Sequence, residues 1–170
     1  MRLFRGQVSQ IAGQIVDSIT KGGDVEVHSA EEVRLDVEAV LKEFIRRDRQ
    51  VSEEARDQLE REGLGRQMLG RMMARVGKEK GFPPHDERLP YIVGQIMTML
   101  FHSNNVDDVF AEDHVLRKKI TTVLKANSGM ENELDKEVRT KIKNLTEGTA
   151  SFDIEYAKVM DQIKQRKNMD

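Results

Sequence analysis

Cysteine and tryptophan are absent from this 170-residue sequence, and proline occurs only three times. The absence of cysteine excludes disulfide bonds and thiolate chemistry, which is typical of a cytoplasmic protein. No stretch approaches the roughly 20 apolar residues that span a bilayer, and no apolar run follows the charged N-terminus as it would in a signal peptide. We therefore expect a soluble cytoplasmic protein that does not interact with membranes.

A strong charge of either sign is also missing, because 28 Lys and Arg residues face 30 Asp and Glu residues, for a net charge of -2. Phosphate contacts provide most of the affinity of a general DNA-binding protein, so this balance argues against binding of bulk DNA. What the sequence does contain is many Lys, Arg, Glu, Met and Leu residues with only short β-branched runs. This composition favours helices over sheets.

Apolar residues recur at helical spacing along the chain. The clearest stripe runs from Val33 to Phe44, and Ser29 with Glu32 forms a capping box in front of it. The first half is predicted to contain three more helices, which are Val8 to Ile19, Ser52 to Gly63, and Arg66 to Lys80.

The second half repeats the pattern of the first. Residues 11–15 match residues 92–96 at an offset of 81, and residues 40–42 match residues 123–125 at an offset of 83. The offset of 83 recurs at separate positions as far as Ala74 and Ala157, which indicates a tandem repeat. We therefore predict an all-α fold of two tandem copies of a roughly four-helix unit, packed as an intrachain pseudo-dimer. The predicted boundaries are 1–82 for the first repeat, 83–88 for a short Pro-containing linker, and 89–170 for the second repeat.

Three strings carry a resemblance to a known family. They are Met1-Arg2-Leu3, Ala111-Glu112-Asp113, and residues 138–149, which contain the Glu-Gly-Thr segment. On these strings the chain resembles, over its full length, a bacterial family known as domain of unknown function 507. The resemblance implies a bacterial, intracellular, helical protein, and it implies no activity and no catalytic residues.

The sequence contains no recognisable catalytic, metal-binding or phosphate-binding motif. The sequence has no zinc, calcium-loop, phosphate-loop or nucleophile-elbow pattern, so we expect no enzyme activity, no catalytic residues, no metal and no cofactor. The densest acidic group runs from Asp107 to His114. We favour helix capping by Asp107 or Asp108 over metal binding, although the sequence leaves open whether this group binds an ion.

Residues 61–80 have an unusual charge pattern. Four cations and no acids lie between Gly63 and Lys78, and methionines share a helical face beside them. One interpretation is a methionine core bordered by solvated arginines. The other is a Met-rich, Arg-flanked groove for a partner. The candidate partner-binding residues are Arg66, Arg71, Arg75, Lys78, Met68 and Met72.

We expect a non-catalytic binding or adaptor protein that engages a protein or ribonucleoprotein partner through its helical faces. The alternative is binding of structured RNA or a ribonucleoprotein through residues 61–80, and a metal-dependent hydrolase is the least favoured hypothesis. The sequence leaves open homo-oligomerisation, the identity of the partner and the relative orientation of the two repeats.

Overall fold

The computed structural model describes residues 1–167, apart from the side chains of residues 130–132. This part of the chain is mostly helical, as the sequence predicts, but it also contains a small two-stranded antiparallel sheet that was not predicted. The elements in chain order are α1 (Val8–Thr20), β1 (Val25–Val27), α2 (Ala30–Arg61), α3 (Leu69–Glu79), α4 (Arg88–His102), β2 (Val106–Val109), α5 (Asp113–Asn127), α6 (Met130–Lys141) and α7 (Ala150–Arg166). None of the helices in residues 1–167 is both long and apolar enough to cross a bilayer.

Helix α2 begins at the predicted cap, because the Ser29 side chain accepts a hydrogen bond from the Glu32 amide at 3.2 Å. The helix then continues for 32 residues, so the separate third helix predicted to begin at Ser52 is wrong. Residues 46–51 contain neither proline nor glycine, and Val51 and Ala55 stay on the buried side of α2. In the second half the helix does break, at Ser128-Gly129 between α5 and α6.

The main hydrophobic core joins the two halves of the sequence. Helix α1 packs against α2 and α5, and α4 packs against the same two helices. Each buried leucine or isoleucine side chain contributes about 1.5–3 kcal/mol to stability. The largest side chains buried in this core are Ile11, Ile15, Ile19, Leu41, Ile92, Ile96, Met97, Leu100, Leu116, Ile120 and Leu124.

Strands β1 and β2 connect the two halves on the outside of the core. Val25 pairs with Val109 and Glu26 pairs with Asp108, and the register is irregular between Glu26 and Val27. Each strand has at most four residues, which is too short for an alternating pattern to stand out in the sequence.

Helices α6 and α7 form a hairpin with a small core of its own. The buried residues of this core are Leu134, Val138, Ile142, Phe152 and Ile163 from the hairpin region, together with Phe4. Phe4 is 5% exposed and, among the described residues, is the only buried member that comes from outside residues 130–166. The N-terminal segment therefore attaches the α6–α7 hairpin to the rest of the molecule.

Candidate functional site

Helix α3 carries most of the predicted partner-binding segment. Its Met72 is 4% exposed and belongs to the main core, and Met68, which precedes the helix, is partly buried against that core. The shallow depression beside them has a volume of about 140 Å³. The methionine stripe is therefore largely a packing surface of α3 against α2.

The four predicted cations of this segment have different surroundings. Arg66 pairs with Asp153 at 2.7 Å. Arg75 pairs with Glu62 at 2.7 Å, and the hydrogen bond to that carboxylate raises the pKa of Arg75. Arg71 and Lys78 are exposed and pair with no carboxylate in the described part of the chain. Two of the four charges are therefore already balanced within the molecule.

A larger cleft lies along a different face of α3. It has a volume of about 680 Å³ and lies between α3 and the linker that leads to α4. Lys78 is the only one of the six predicted partner-binding residues in its lining. We call this site the α3 cleft, and its lining residues are Val51, Gly70, Met73, Ala74, Gly77, Lys78, Phe82, Pro83, Pro84, His85, Glu87 and Arg88.

The end of α3 shapes this cleft. Gly81 ends the helix with a φ of +61°, a left-handed conformation that favours glycine. The reversal places the Phe82 carbonyl against Gly77, where a Cβ atom would lie 3.1 Å from the carbonyl oxygen. Gly70, in contrast, has open space on its Cβ side. The small residues Gly70 and Ala74 therefore leave the surface of α3 accessible from the cleft.

Phe82 is fixed in place by aromatic rings and guanidinium groups. It is 3% exposed and packs against Phe44 and Tyr91, with ring centroids 5.4 and 6.0 Å away. The guanidinium carbons of Arg47 and Arg88 lie 5.3 and 5.2 Å from its ring centroid. Such cation–π contacts add about 0.5–2 kcal/mol each. The wall of the cleft is therefore preformed.

Arg88 brings a positive charge into the wall of the cleft. The residue is 8% exposed, and its Nη1 atom lies 2.9 Å from Oδ1 of Asp48. Neither Arg88 Nε nor Asp48 Oδ1 makes an aligned hydrogen bond to any described residue. A buried ion pair with unmade hydrogen bonds is a weak source of stability, so packing alone does not account well for an arginine at this position.

Arg47 fixes the linker from the opposite side. Its guanidinium donates hydrogen bonds to the Tyr91 hydroxyl at 2.6 Å, the Lys80 carbonyl at 2.7 Å and the Gly81 carbonyl at 3.1 Å. The backbone that leads from α3 into the linker is therefore fixed before any ligand arrives.

A smaller cleft lies between the N-terminal segment and the α6–α7 hairpin. It has a volume of about 290 Å³ and is lined in part by Phe4, Tyr156 and Met160. Met160 is separated from Gly77 by the offset of 83 residues that relates the two halves of the sequence.

The acidic group from Asp107 to His114 is arranged differently from the prediction. Asp107 and Asp108 lie in β2 and do not cap α5, whose N-cap residue is Glu112, so the capping prediction is wrong. Asp107 contacts His28 at 3.1 Å, and Asp113 contacts Arg117 at 2.5 Å. Within the described residues, no three His, Asp or Glu side chains converge as metal ligands would.

The predicted partner-binding residues lie on or beside α3, but Lys78 alone among them lines the α3 cleft. Phe82, Arg88 and Met73 were not among the predicted residues. The signals that could have identified them are Pro83-Pro84, which holds the linker extended, and the small residues at 70, 74 and 77 along one side of α3. Among the described residues, the lining contains no serine, threonine or cysteine.

Comparison with known proteins gives a family but no activity. A family model described as Protein of unknown function (DUF507) matches residues 1–169, which confirms the resemblance noted in the sequence. No curated protein matches the chain.

Proposed function

We propose that this chain, which belongs to the DUF507 family of proteins of unknown function, is a non-catalytic binding protein that holds a segment of a protein partner in the α3 cleft. The observation that carries this proposal is a preformed, mainly apolar cleft of about 680 Å³ with cationic side chains in its lining. Ligand sites are commonly concave and apolar, with volumes of about 300–1,000 Å³ and a few polar groups that set the orientation.

The charges in the lining indicate the chemistry of the partner. Lys78 is exposed and unpaired in the described part of the chain, whereas the charge of Arg88 is balanced by Asp48 at 2.9 Å. Glu87 is the only carboxylate among the described residues that line the cleft. A partner segment that combines an apolar side chain with a neighbouring carboxylate would match both the apolar wall and this charge.

We also propose that the two halves are tandem copies packed as a pseudo-dimer, with boundaries at 82 and 89. The support is that α1–β1–α2 and α4–β2–α5 follow the same order, and that β1 and β2 pair with each other. A phenylalanine also precedes each of α1 and α4, and Phe4 lines the smaller cleft as Phe82 lines the α3 cleft. The two clefts would then have a common origin, and only the first would have stayed open. A bacterial, cytoplasmic setting is part of the same proposal.

Nucleic-acid binding through residues 61–80 is less well supported. Arg66 and Arg75 are already paired with carboxylates, which leaves Arg71 and Lys78 to contact phosphates. A salt-dependent mobility shift with structured RNA that is abolished by Arg71→Glu would favour this alternative over a protein partner.

The binding proposal can be tested with the dye 8-anilinonaphthalene-1-sulfonate, which combines aromatic rings with an anionic group. We expect the native protein to bind one dye molecule, and Ala74→Arg to weaken binding by about tenfold or more, equivalent to about 1.4 kcal/mol. Ala157→Arg is the matched control, because Ala157 is an exposed alanine at the corresponding position of α7. Equal binding by all three proteins, or no binding by the wild type, would refute the proposal.

A further inference from the structure

Phe110 is an aromatic side chain that the fold leaves outside its core. It follows β2 and is 63% exposed. Its amide donates a hydrogen bond to the Asp24 carbonyl at 2.9 Å, and the next amide, that of Ala111, donates to the same oxygen at 3.1 Å. The ring is therefore presented to solvent on a fixed backbone. Such preorganisation reduces the entropy lost when a group binds.

Carboxylates flank Phe110 on both sides in the sequence. We call residues 107–113 the acidic tip, because four of its seven residues are Asp or Glu. Asp108 lies directly opposite Glu26 in the two-stranded sheet, and neither carboxylate pairs with a cation in the described residues. Like charges directly opposite one another destabilise a strand pair. A cation brought by another molecule would relieve this repulsion.

The acidic tip and the α3 cleft are complementary. One is an exposed aromatic ring flanked in the sequence by carboxylates, and the other is a preformed apolar cleft with the exposed cation Lys78 in its lining. The tip also combines an apolar side chain with neighbouring carboxylates, which is the chemistry expected of a segment that binds in the α3 cleft. Both surfaces are exposed on the same chain, so each molecule carries both halves of an interface.

We propose that the acidic tip of one molecule inserts Phe110 into the α3 cleft of a second copy, with Asp108 directed toward Lys78. This inference rests on the proposed function of the cleft and identifies its occupant. The two surfaces differ, so the contact is head-to-tail, and association closes into a ring or continues as a filament rather than stopping at a symmetric dimer.

The interface consists of one aromatic anchor and a few charge pairs. Interfaces smaller than about 1,200 Å² belong to weak or transient complexes. We therefore expect association in the micromolar to millimolar range, and we expect it to weaken as salt screens the contact between the tip and Lys78.

Sedimentation equilibrium on the full chain tests the proposal through complementation. Phe110→Ser removes the anchor and keeps the cleft, whereas Ala74→Arg blocks the cleft and keeps the tip. We expect the wild type to associate with increasing concentration and each variant alone to be monomeric. An equimolar mixture of the two variants regains one intact interface, so it should form a complex of two chains and no larger species.

Phe101→Ser is the matched control, because Phe101 is a second exposed phenylalanine, 56% accessible, at the end of α4. Association unchanged in Phe101→Ser supports the assignment to Phe110. A wild type that stays monomeric at about 1 mM, a concentration that populates even weak complexes, overturns the inference. An equal loss of association in the two Phe→Ser variants, or a mixture that stays monomeric, overturns it as well.

The dye experiment separates this inference from the proposed function. If the cleft binds the dye and the wild type is monomeric, the second copy is not the occupant and the cleft remains a binding site. If Phe110→Ser binds the dye as the wild type does but no longer associates, the binding role of the cleft and the insertion of Phe110 from a second copy are both supported. Cooperative thermal unfolding of each variant confirms that the substitutions leave the fold intact.

Discussion

Gly77 and Phe82 are in close backbone contact at the end of α3. The Phe82 amide donates a hydrogen bond to the Gly77 carbonyl at 2.8 Å, and the Gly81 amide donates to the Lys78 carbonyl at 3.3 Å. These two bonds form a Schellman turn. The turn reverses the chain so that Phe82 enters the core and its carbonyl lies against Gly77. The α3 cleft depends on this contact, because it sets the distance between α3 and the linker.

Substitution of the two helical glycines by alanine should have different effects. Gly70→Ala should raise the free energy of unfolding by up to about 1 kcal/mol, because alanine has the higher helix propensity and its Cβ would meet nothing within 4 Å. Gly77→Ala should lower it, because the new Cβ would press on the fixed Phe82 carbonyl at 3.1 Å. Urea unfolding measures both. Equal stabilisation by the two substitutions would mean that the Phe82 carbonyl moves freely.

Removal of the Phe82 ring should be strongly destabilising. Phe82→Ala is expected to lower the free energy of unfolding by about 3–5 kcal/mol, as large-to-small core substitutions do, because the ring is 3% exposed. Phe110→Ala, at a ring that is 63% exposed, should change it by no more than about 0.5 kcal/mol. Denaturant unfolding at low protein concentration compares the two. A small effect of Phe82→Ala would show that the linker repacks.

Substitution of Phe4 should loosen one hairpin selectively. Within residues 1–167, Phe4 is the only buried residue of the α6–α7 core from outside residues 130–166, whereas its neighbour Leu3 belongs to the main core. We expect Phe4→Ala to speed amide exchange mainly in α6 and α7, because local opening there no longer has to displace the ring. Leu3→Ala, the control, should speed exchange in α1, α2, α4 and α5. Identical exchange patterns for both variants would contradict this division.

Glu38 should make the stability depend on pH. A hydrogen bond from Lys42 at 2.9 Å lowers the pKa of Glu38 below its usual 4.5, and Ser9 and Arg34 act in the same direction. A carboxylate with a lowered pKa in the folded state stabilises the fold above about pH 4.5. This contribution is lost as the pH falls through the folded-state pKa, because protonation breaks the pairs.

Glu38→Gln should therefore lower stability at neutral pH and flatten its dependence on pH below 4.5. The measurement is denaturant unfolding across this pH range. Glu53→Gln is the control, because Glu53 is an exposed carboxylate of α2 that pairs with no cation in the described chain. If both variants have the same pH profile as the wild type, Glu38 is not a source of the acid sensitivity.

Local sequence features correctly predicted much of the secondary structure. The stripe from Val33 to Phe44 lies in α2, and Ser29 caps that helix. The segment predicted from Arg66 to Lys80 contains α3. Periodicity, caps and helix-ending glycines act through residues within a few positions of one another, so the sequence alone displays them. Membership of the family was also recognisable from short strings.

The tertiary structure decided which apolar residues of these helices were buried and which stayed accessible at the surface. Met72 is buried and Met73 lines the cleft, although both are apolar neighbours on α3. Periodicity identifies an apolar face but does not say what covers each part of it. The α3 cleft combines Val51 with five residues of α3 and six residues of the linker and the start of α4, which only the packing of α2, α3 and the linker brings together. The sequence by itself determined a helical chain with its caps, whereas long-range packing decided where an open cleft remained.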